Sequence, residues 1–475
     1  MKKRFLSLFF AFFLTPPVSF AATEVTLDPL GQPMPAVSVA EAPASVEPAP
    51  AGTPAGNSDV SDFLMDNGGL EIVRGSAEDA EVSLAALSYN DALYSSPNNY
   101  WFEQADAKLA QDVSAGAGVL VAEIDTGISA HEDGALLWSN PGEILDGIDN
   151  DGNGYIDDTN GWDFFNGDRD PSDDNGHGTF VSGIIGAAAN NLLGIVGIAP
   201  KSQIVPIKVL NSQGSGYVTD VIKGIRYAAD LGAKVINMSL GVFKNYLSQS
   251  LQQSFIDAMN YAKSKGAVTV AAAGNDNMDL SKFYPAAIAT LAAGAVDSAL
   301  KRASWSNYGT GLDLVAAGVN VLSLRAAGTN FGSSCVSNPK YACASGTSFS
   351  SPIVAAVVAL LRASEPLLTV DQIYKRLTST ARDLGTKGFD KYYGYGLVDA
   401  YKALTTVTGA SSNALSPSET GSGSGKIPEA KQNAFFPDFP ELGRLPGVSP
   451  RLLTHYQWDP TRNHLPKSKR RNPKD

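Results

Sequence analysis

The 475-residue sequence has few cysteines, few histidines and no excess of positive charge. It contains two cysteines and four histidines, and its formal net charge is −12. A chain with this balance lacks the basic surface that general nucleic-acid binding requires, so we expect no nucleic-acid partner. After the first 21 residues no apolar run approaches the length of a membrane span, so none is expected. The sequence also has no internal repeat.

The N-terminus has the pattern of an export signal. A charged start, M-K-K-R, is followed by a short apolar run and by the small residues Ser19 and Ala21. Small residues at these positions are what a signal peptidase reads, and the run is short for a membrane span. The pattern predicts a signal peptide over residues 1–21 and a secreted mature protein, extracellular or periplasmic.

Export bears on the two cysteines, Cys335 and Cys343. In an oxidising compartment a disulfide between them is the expected state, and two idle thiols are the alternative. A closed loop of this size stabilises a fold by about 2.5 kcal/mol through the chain entropy of the unfolded state. The bridge would also hold the segment that leads to Ser348.

Composition divides the chain into four parts. After the signal, residues 22–89 form a pro-segment with a Pro- and Ala-rich linker, and residues 90–408 have the pattern of a globular domain. Residues 409–475 form a flexible linker and a basic tail. The last 50 residues hold ten Lys and Arg against five Asp and Glu, a net charge of +5. Because the whole chain carries −12, the other residues together carry −17.

Short apolar runs alternate with helical patterns inside the globular part. Apolar residues recur at helical spacing over residues 218–231 and 251–265. Strands that are apolar throughout and separated by helices are typical of a parallel sheet covered on both faces. The sequence therefore predicts an α/β domain with a mostly parallel central sheet and helices on both faces. The predicted strands are 118–125, 204–210, 233–241, 267–275 and 312–318.

Polar residues close three of these predicted strands. They are Asp125, the turn Ser239-Leu240-Gly241, and Asn275. Each alone is consistent with an ordinary turn, because Asp, Ser and Asn commonly end strands. Parallel sheets bind ligands beyond the carboxyl ends of their strands, so the three together predict a site at that edge.

His177 and Ser348 complete a set that can carry out nucleophilic catalysis. His177 lies between two glycines before a helical segment, and Ser348 begins a buried apolar helix. Alone, the first is consistent with a structural histidine and the second with an ordinary N-cap. With Asp125 and Asn275 they supply a nucleophile, a base, a carboxylate that orients the base, and a donor for an oxyanion.

Four segments resemble the signature blocks of the subtilisin-like serine proteases, in the same order. They are D-T-G-I (125–128), N-G-H-G-T-F-V-S-G (175–183), A-A-A-G-N (271–275) and G-T-S-F-S-S-P (346–352). The resemblance covers about residues 90 to 405. It implies a subtilisin-like fold and a serine endopeptidase with protein or peptide substrates, together with a pro-segment that can inhibit the enzyme. We expect a monomer.

The resemblance also implies a role for each site residue. Ser348 would attack the peptide carbonyl, His177 would act as base and then as acid, and Asp125 would orient His177. Asn275 would bind the oxyanion. The substrate backbone would pair with two segments, which are Ser239, Leu240, Gly241 on one side and Gly214, Ser215, Gly216 on the other.

Two other classes of protein fit part of the pattern. A non-catalytic binding protein with this fold would need a lost triad residue, and all three are present. A dinucleotide-binding enzyme also alternates strands and helices, but here the glycines of S-A-G-A-G-V-L-V precede the strand instead of following it. Both are disfavoured.

The sequence departs from the family pattern at three places. Phe349 follows the nucleophile where many relatives have Met, and the pro-segment has no convincing match to the usual folded pro-domain. An acidic insertion also separates the Asp and His blocks, with eleven carboxylates and one basic residue between Glu143 and Asp174.

The spacing of acidic residues in the insertion resembles the first half of a calcium loop, followed by a turn at Gly154. A solvated acidic loop is the alternative, because the twelfth position is Asn160 where a calcium loop has Glu. We expect structural calcium as a cofactor, with ligands among Asp149, Asp151, Asn153 and Asp157, and Asp158 as a further candidate.

Overall fold

The computed structural model describes residues 88–406 and a strand at Leu452–Thr454. All of them belong to one compact unit that spans Leu70–Asp475. The predicted signal peptide (1–21), nearly all of the pro-segment (22–89) and the tail apart from that strand lie outside the described residues.

Strands are short and mostly buried. They are β1 Leu120–Asp125, β2 Leu136–Leu137, β3 Trp162–Asp163, β4 Gln203–Lys208, β5 Ser215–Tyr217, β6 Val235–Met238, β7 Val242–Phe243, β8 Val268–Ala272, β9 Phe283–Tyr284, β10 Leu291–Val296, β11 Leu314–Ala317, β12 Val321–Leu324, β13 Tyr341–Ala344 and β14 Leu452–Thr454.

Eight of these strands form one parallel sheet in the order β11-β10-β8-β6-β1-β4-β2, with β3 also paired to β4. The other described strands form three two-stranded antiparallel pairs, which are β12 with β13, β7 with β9, and β14 with β5. The order places β1 between β6 and β4, so the carboxyl ends of β1, β6 and β8 lie side by side.

The helices are α1 Tyr100–Gln104, α2 Ala107–Val113, α3 His177–Gly186, α4 Val218–Asp230, α5 Gln249–Ser264, α6 Thr347–Ser364, α7 Val370–Thr380 and α8 Ala400–Thr405. Single 3₁₀ turns occur at Pro97–Asn99, Lys244–Tyr246 and Leu280–Lys282. Polar caps set several helix starts. Ser248 accepts the Leu251 amide at the start of α5, and Thr369 with Gln372 forms a capping box on α7.

Side chains of β1 point alternately to the two faces of the sheet and contribute to two hydrophobic cores, one on each face. Val121 packs in the core that contains Phe180 of α3 and Ile353 of α6. Ile124 packs in the opposite core, with Val221 of α4 and Phe255 of α5. Helices therefore cover both faces, and the predicted α/β architecture is confirmed.

One described helix, α6, is long and apolar enough to cross a membrane by length and composition alone. It is almost entirely buried, and Ile353, Val357 and Leu360 on it have no exposed surface. Its apolar character is that of a central core helix that contacts β6, β8, β10 and β11.

Candidate active site

Three polar groups meet where β1, β6 and β8 end. Asp125 is the last residue of β1, Ser239 follows the last residue of β6, and Asn275 lies three residues beyond β8. The predicted convergence at the carboxyl edge of the sheet is therefore present in the structure. His177 and Ser348 reach the same edge from the first residues of α3 and α6.

His177 and Asp125 form a buried pair. The distance between His177 Nδ1 and Asp125 Oδ1 is 2.6 Å, and both side chains have no exposed surface. The backbone amide of Thr126 also donates to Asp125 Oδ1 at 2.7 Å. Burial lowers the pKa of His177, with a smaller opposing effect from the charge of Asp173. The imidazole is therefore neutral at pH 7, which is the form that accepts a proton.

Asp173 organises the loop before His177. Its Oδ1 accepts the Gly176 amide at 2.7 Å and the Thr126 hydroxyl at 2.8 Å. Its Oδ2 accepts both the amide and the hydroxyl of Thr179, at 2.9 and 2.7 Å. The carboxylate thus joins the end of β1 to the first turn of α3, where free amides attract a negative charge.

The glycines that flank His177 have separate causes. Gly176 has φ +107°, a conformation that side-chain-bearing residues rarely adopt, and a Cβ there would collide with Phe331 and Thr329. Gly178 has an ordinary φ, but its Cβ would lie 2.1 Å from the carbonyl oxygen of Gly127. The turn after β1 therefore packs directly on the backbone of α3.

Ser348 is held by a reciprocal pair of hydrogen bonds with Ser239. The Ser348 hydroxyl donates to the Ser239 carbonyl at 3.1 Å, and the Ser239 hydroxyl donates to the Ser348 carbonyl at 2.7 Å. Pro352 explains the second bond. It lies four residues after Ser348 and has no N–H for that carbonyl, so Ser239 supplies the missing donor.

The carboxamide of Asn275 is oriented by Thr347, the residue before Ser348. Asn275 Oδ1 accepts both the amide and the hydroxyl of Thr347, each at 2.9 Å. With the oxygen engaged by two donors, the Nδ2 group is the hydrogen-bond donor that Asn275 presents elsewhere. The arrangement suits binding of an oxyanion.

Aromatic rings surround the imidazole of His177. The ring of Phe349 lies 5.7 Å from it and the ring of Phe331 lies 5.4 Å from it, measured between centroids. Phe180 packs on both phenylalanines. These rings supply much of the burial that keeps His177 neutral.

The predicted substrate-binding segments occupy two different places. Ser239, Leu240 and Gly241 follow β6 directly and are buried beside Ser348. Ser215 and Gly216 lie in β5, and Gly214 precedes them with a positive φ. One edge of β5 is closed by Leu210, which bridges to Gly216.

A buried lysine joins the loops that follow β1 and β4 to the loop before His177. Lys208, at the end of β4, donates from Nζ to the carbonyls of Thr126 and Leu210 at 2.7 and 2.9 Å, and to the Asp174 carboxylate at 2.6 Å. Lys208 and Asp173 were missed in the sequence analysis. Lys and Asp are common at strand ends and in turns, so these two residues stand out only through their burial in the structure.

Glu123 is a second buried acid on β1. It lies two residues before Asp125 on the same face, opposite Asn237 of β6 in register. Among the described residues neither carboxyl oxygen has a hydrogen-bond partner. Burial raises the pKa of Glu123 well above its ordinary value, with further contributions from the charges of Asp125 and Asp173. Burial therefore favours the protonated form of this carboxyl in the folded protein.

Cys335 and Cys343 form a disulfide, as predicted. Cys343 lies in β13, which pairs with β12 and ends four residues before Ser348. The bridge therefore closes a loop shortly before Ser348.

The acidic insertion brings three carboxylates together, those of Glu143, Asp149 and Asp151. One oxygen from each lies within 4.8 Å of the others. Asn153 is adjacent, because its amide donates to Asp149 and Asp151. Three hard oxygen donors with no basic side chain among them fit the preferences of calcium.

The other two acids of the predicted loop have different partners. Asp157 accepts the Asp146 and Gly147 amides and pairs with Arg169 at 2.7 Å. Asp158 is buried and accepts the Tyr227 hydroxyl at 2.6 Å. Of the predicted ligands, Asp149, Asp151 and Asn153 lie together, and Glu143 joins them in place of Asp157.

Comparison with known proteins agrees with the geometry of the site. A sequence model of the subtilase family matches residues 116–396. A thermophilic serine proteinase from Bacillus sp. (strain AK1) is 38% identical over 326 residues, which is 68% of this chain and 70% of that protein. Thermitase from Thermoactinomyces vulgaris is 37% identical over 317 residues, 66% of this chain and 98% of thermitase.

A solved protease structure from Pseudoalteromonas arctica PAMC 21717 matches with a TM-score of 0.54 and 30% identity. The match covers 66% of this chain and 98% of that one. The family model alone spans more than half of the sequence, and the named relatives are proteases. The chain therefore belongs to the subtilase family and is a subtilisin-like serine endopeptidase.

Proposed function

We propose that the protein is a secreted endopeptidase of broad protein specificity that uses Asp125, His177 and Ser348 as its triad. The observation that carries the proposal is the buried pair of His177 and Asp125 at the sheet edge that Ser348, the second residue of α6, also reaches. The domain limits follow the sequence: signal 1–21, pro-segment 22–89, protease 90–408 and tail 409–475. The pro-segment acts as an inhibitor of the precursor, and the mature enzyme is a monomer.

The reaction passes through an acyl-enzyme. Ser348 Oγ attacks the peptide carbonyl carbon while His177 Nε2 takes the hydroxyl proton, and Asp125 stabilises the imidazolium through Nδ1. The oxyanion accepts hydrogen bonds from Asn275 Nδ2 and from the Ser348 amide. Collapse of the tetrahedral intermediate breaks the C–N bond, and His177 gives its proton to the leaving amine. Water then attacks the ester by the same route.

Substrate binds by backbone pairing. Gly214–Gly216 and Ser239–Gly241 form the two sides of the binding cleft, and an extended peptide adds a strand between them. Pairing through main-chain hydrogen bonds gives affinity with little dependence on sequence. This is the basis for the proposed broad specificity.

The triad is tested by Ser348→Ala, with Ser250→Ala as a matched control. Ser250 is the second residue of α5, as Ser348 is of α6, but it is exposed. We expect Ser348→Ala to lower peptide hydrolysis about a millionfold and Ser250→Ala to leave it unchanged. Retention of more than a few per cent of activity in Ser348→Ala would refute the assignment.

Calcium is the proposed structural cofactor, held by Glu143, Asp149, Asp151 and the Asn153 side chain. When bound, the ion neutralises the clustered carboxylates and stabilises the folded insertion, because a ligand bound only to the native state raises its stability. A chelator should therefore lower the thermal midpoint and speed autolysis, and Asp149→Asn/Asp151→Asn should remove that dependence. A chelator effect that persists in the double variant would place the ion elsewhere.

A further inference from the structure

Strand β14 is a segment of the C-terminal tail that pairs with the protease domain. Leu452, Leu453 and Thr454 lie opposite Tyr217, Gly216 and Ser215 of β5, antiparallel. Between Thr406, the last described residue before the tail, and this strand lie 45 residues, 407–451. A chain of that length can extend to about 150 Å, so it can reach any part of the domain.

β14 occupies the second edge of β5. The first edge is closed by the bridge between Leu210 and Gly216, and a Cβ on Gly216 would lie 2.0 Å from the Val209 carbonyl oxygen. A strand has two edges, so with β14 in place no edge of β5 is open to another peptide. Under the proposed function this second edge is the one that the substrate backbone uses.

The direction of β14 matches that of a substrate. Because it is antiparallel to β5, it runs from Tyr217 towards Ser215 and the turn at Ser212. Asn175, two residues before His177, donates to the Ser212 carbonyl at 3.0 Å. The carboxyl end of β14 is therefore directed towards the triad, as the acyl part of a substrate must be.

Charge also favours the contact. The last 50 residues, which contain β14, carry +5, whereas residues 90–408 carry −9, with 22 Lys and Arg against 31 Asp and Glu. Opposite net charges attract the tail to the domain, and salt weakens the attraction because the Debye length is about 8 Å at physiological ionic strength. A tethered segment also acts at a high effective concentration, in the millimolar range for flexible linkers.

We propose that Leu452–Thr454 is an intramolecular inhibitor that occupies the substrate edge of β5 and competes with peptide substrates. This inference rests on the proposed function, which makes that edge the substrate site. An intramolecular competitor reduces the fraction of enzyme with an open site, so it raises KM and leaves kcat unchanged. Its effect is also independent of enzyme concentration.

The test compares two full-length variants that differ in backbone donors. Leu452→Pro/Leu453→Pro/Thr454→Pro removes all three amide donors of β14. Leu452→Val/Leu453→Val/Thr454→Val keeps them and keeps strand propensity. With intact mass confirmed, we expect the proline variant to lower KM for a short chromogenic peptide at least threefold at unchanged kcat, and the valine variant to behave as the parent. That factor corresponds to a site that is two-thirds closed.

An equal KM in the parent and the proline variant overturns the proposal. So does a KM that rises with enzyme concentration, because that indicates pairing between two copies. Hydrogen exchange distinguishes failure of the β14 proposal from failure of the proposed function. In a Ser348→Ala background, the amides of β5 should lose protection in the proline variant and keep it in the valine variant. If no form hydrolyses peptides but the β5 amides lose protection only in the proline variant, the proposed function fails and the pairing of β14 stands. If the β5 amides are equally protected in both variants, the pairing itself is refuted.

Discussion

Glu123→Gln should change how stability depends on pH, because burial raises the pKa of Glu123 in the folded protein and the unfolded chain has the ordinary pKa. The carboxyl is fully buried without a described hydrogen-bond partner, and burial raises its pKa well above the ordinary value. Above the unfolded pKa of about 4.3, the unfolded state therefore binds fewer protons than the native state. The parent must lose free energy of unfolding as pH rises, until pH reaches the raised pKa.

The slope follows from one proton per molecule. It is about 1.4 kcal/mol for each pH unit between the two pKa values. Each kcal/mol shifts the thermal midpoint by one to two degrees in a domain of this size, so the slope corresponds to about 2 °C per unit. Glutamine has nearly the same shape and does not titrate, so Glu123→Gln removes this slope.

The assay is calorimetry at pH 5, 6 and 7 in a Ser348→Ala background, which prevents autolysis. The midpoint of Glu123→Gln relative to the parent should rise by about 2 °C with each pH unit below the raised pKa. Glu123→Leu is the control for lost hydrogen-bonding capacity. Its thermal midpoint can differ from that of Glu123→Gln by a constant amount, but the change of its midpoint with pH should be the same. Parallel curves for parent and variants would show that Glu123 is already ionised in the folded protein.

Three further changes test other parts of the site. Asn275→Ala should reduce kcat about a hundred- to thousandfold, and an unchanged kcat would mean that another group binds the oxyanion. Phe349→Met should lose more peptide hydrolysis than the parent after matched peroxide treatment, because a thioether beside His177 can be oxidised and a phenyl ring cannot; equal loss would shift suspicion to Met238. Ser239→Ala should cost about 1–3 kcal/mol of stability by leaving the Ser348 carbonyl without its donor. Adding Pro352→Ala, which restores an N–H, should recover part of that loss, and purely additive effects would contradict this explanation.

The sheet could be predicted because its strands are continuous apolar runs. Residues 118–125 and 204–210 were predicted, and the structure has β1 and β4 there, with ends that differ by one or two residues. β10 was missed. Its sequence, L-A-A-G-A-V, has one β-branched residue and no periodicity, so it becomes a strand through burial between β8 and β11.

The site could be predicted only as far as residue type and order allow. His177, Asp125 and Ser348 lie in recognisable segments, and the structure brings them to one edge. The supporting contacts could not be predicted, because they join residues far apart in sequence. Ser239 compensates for the missing N–H of Pro352, and Lys208 joins three separate loops. The pairing of β5 with a tail segment more than two hundred residues away is of the same kind.

The most direct test of the central claim is the site of attachment of a serine-directed phosphonate inhibitor. Only a serine that a base activates reacts rapidly with such a reagent. We predict one adduct per chain, mapped by mass spectrometry of peptides to Ser348, with loss of hydrolysis in proportion to labelling. His177→Ala should abolish labelling although Ser348 is still present. An adduct on another serine, or labelling of Ser348 that does not require His177, would contradict the proposed triad.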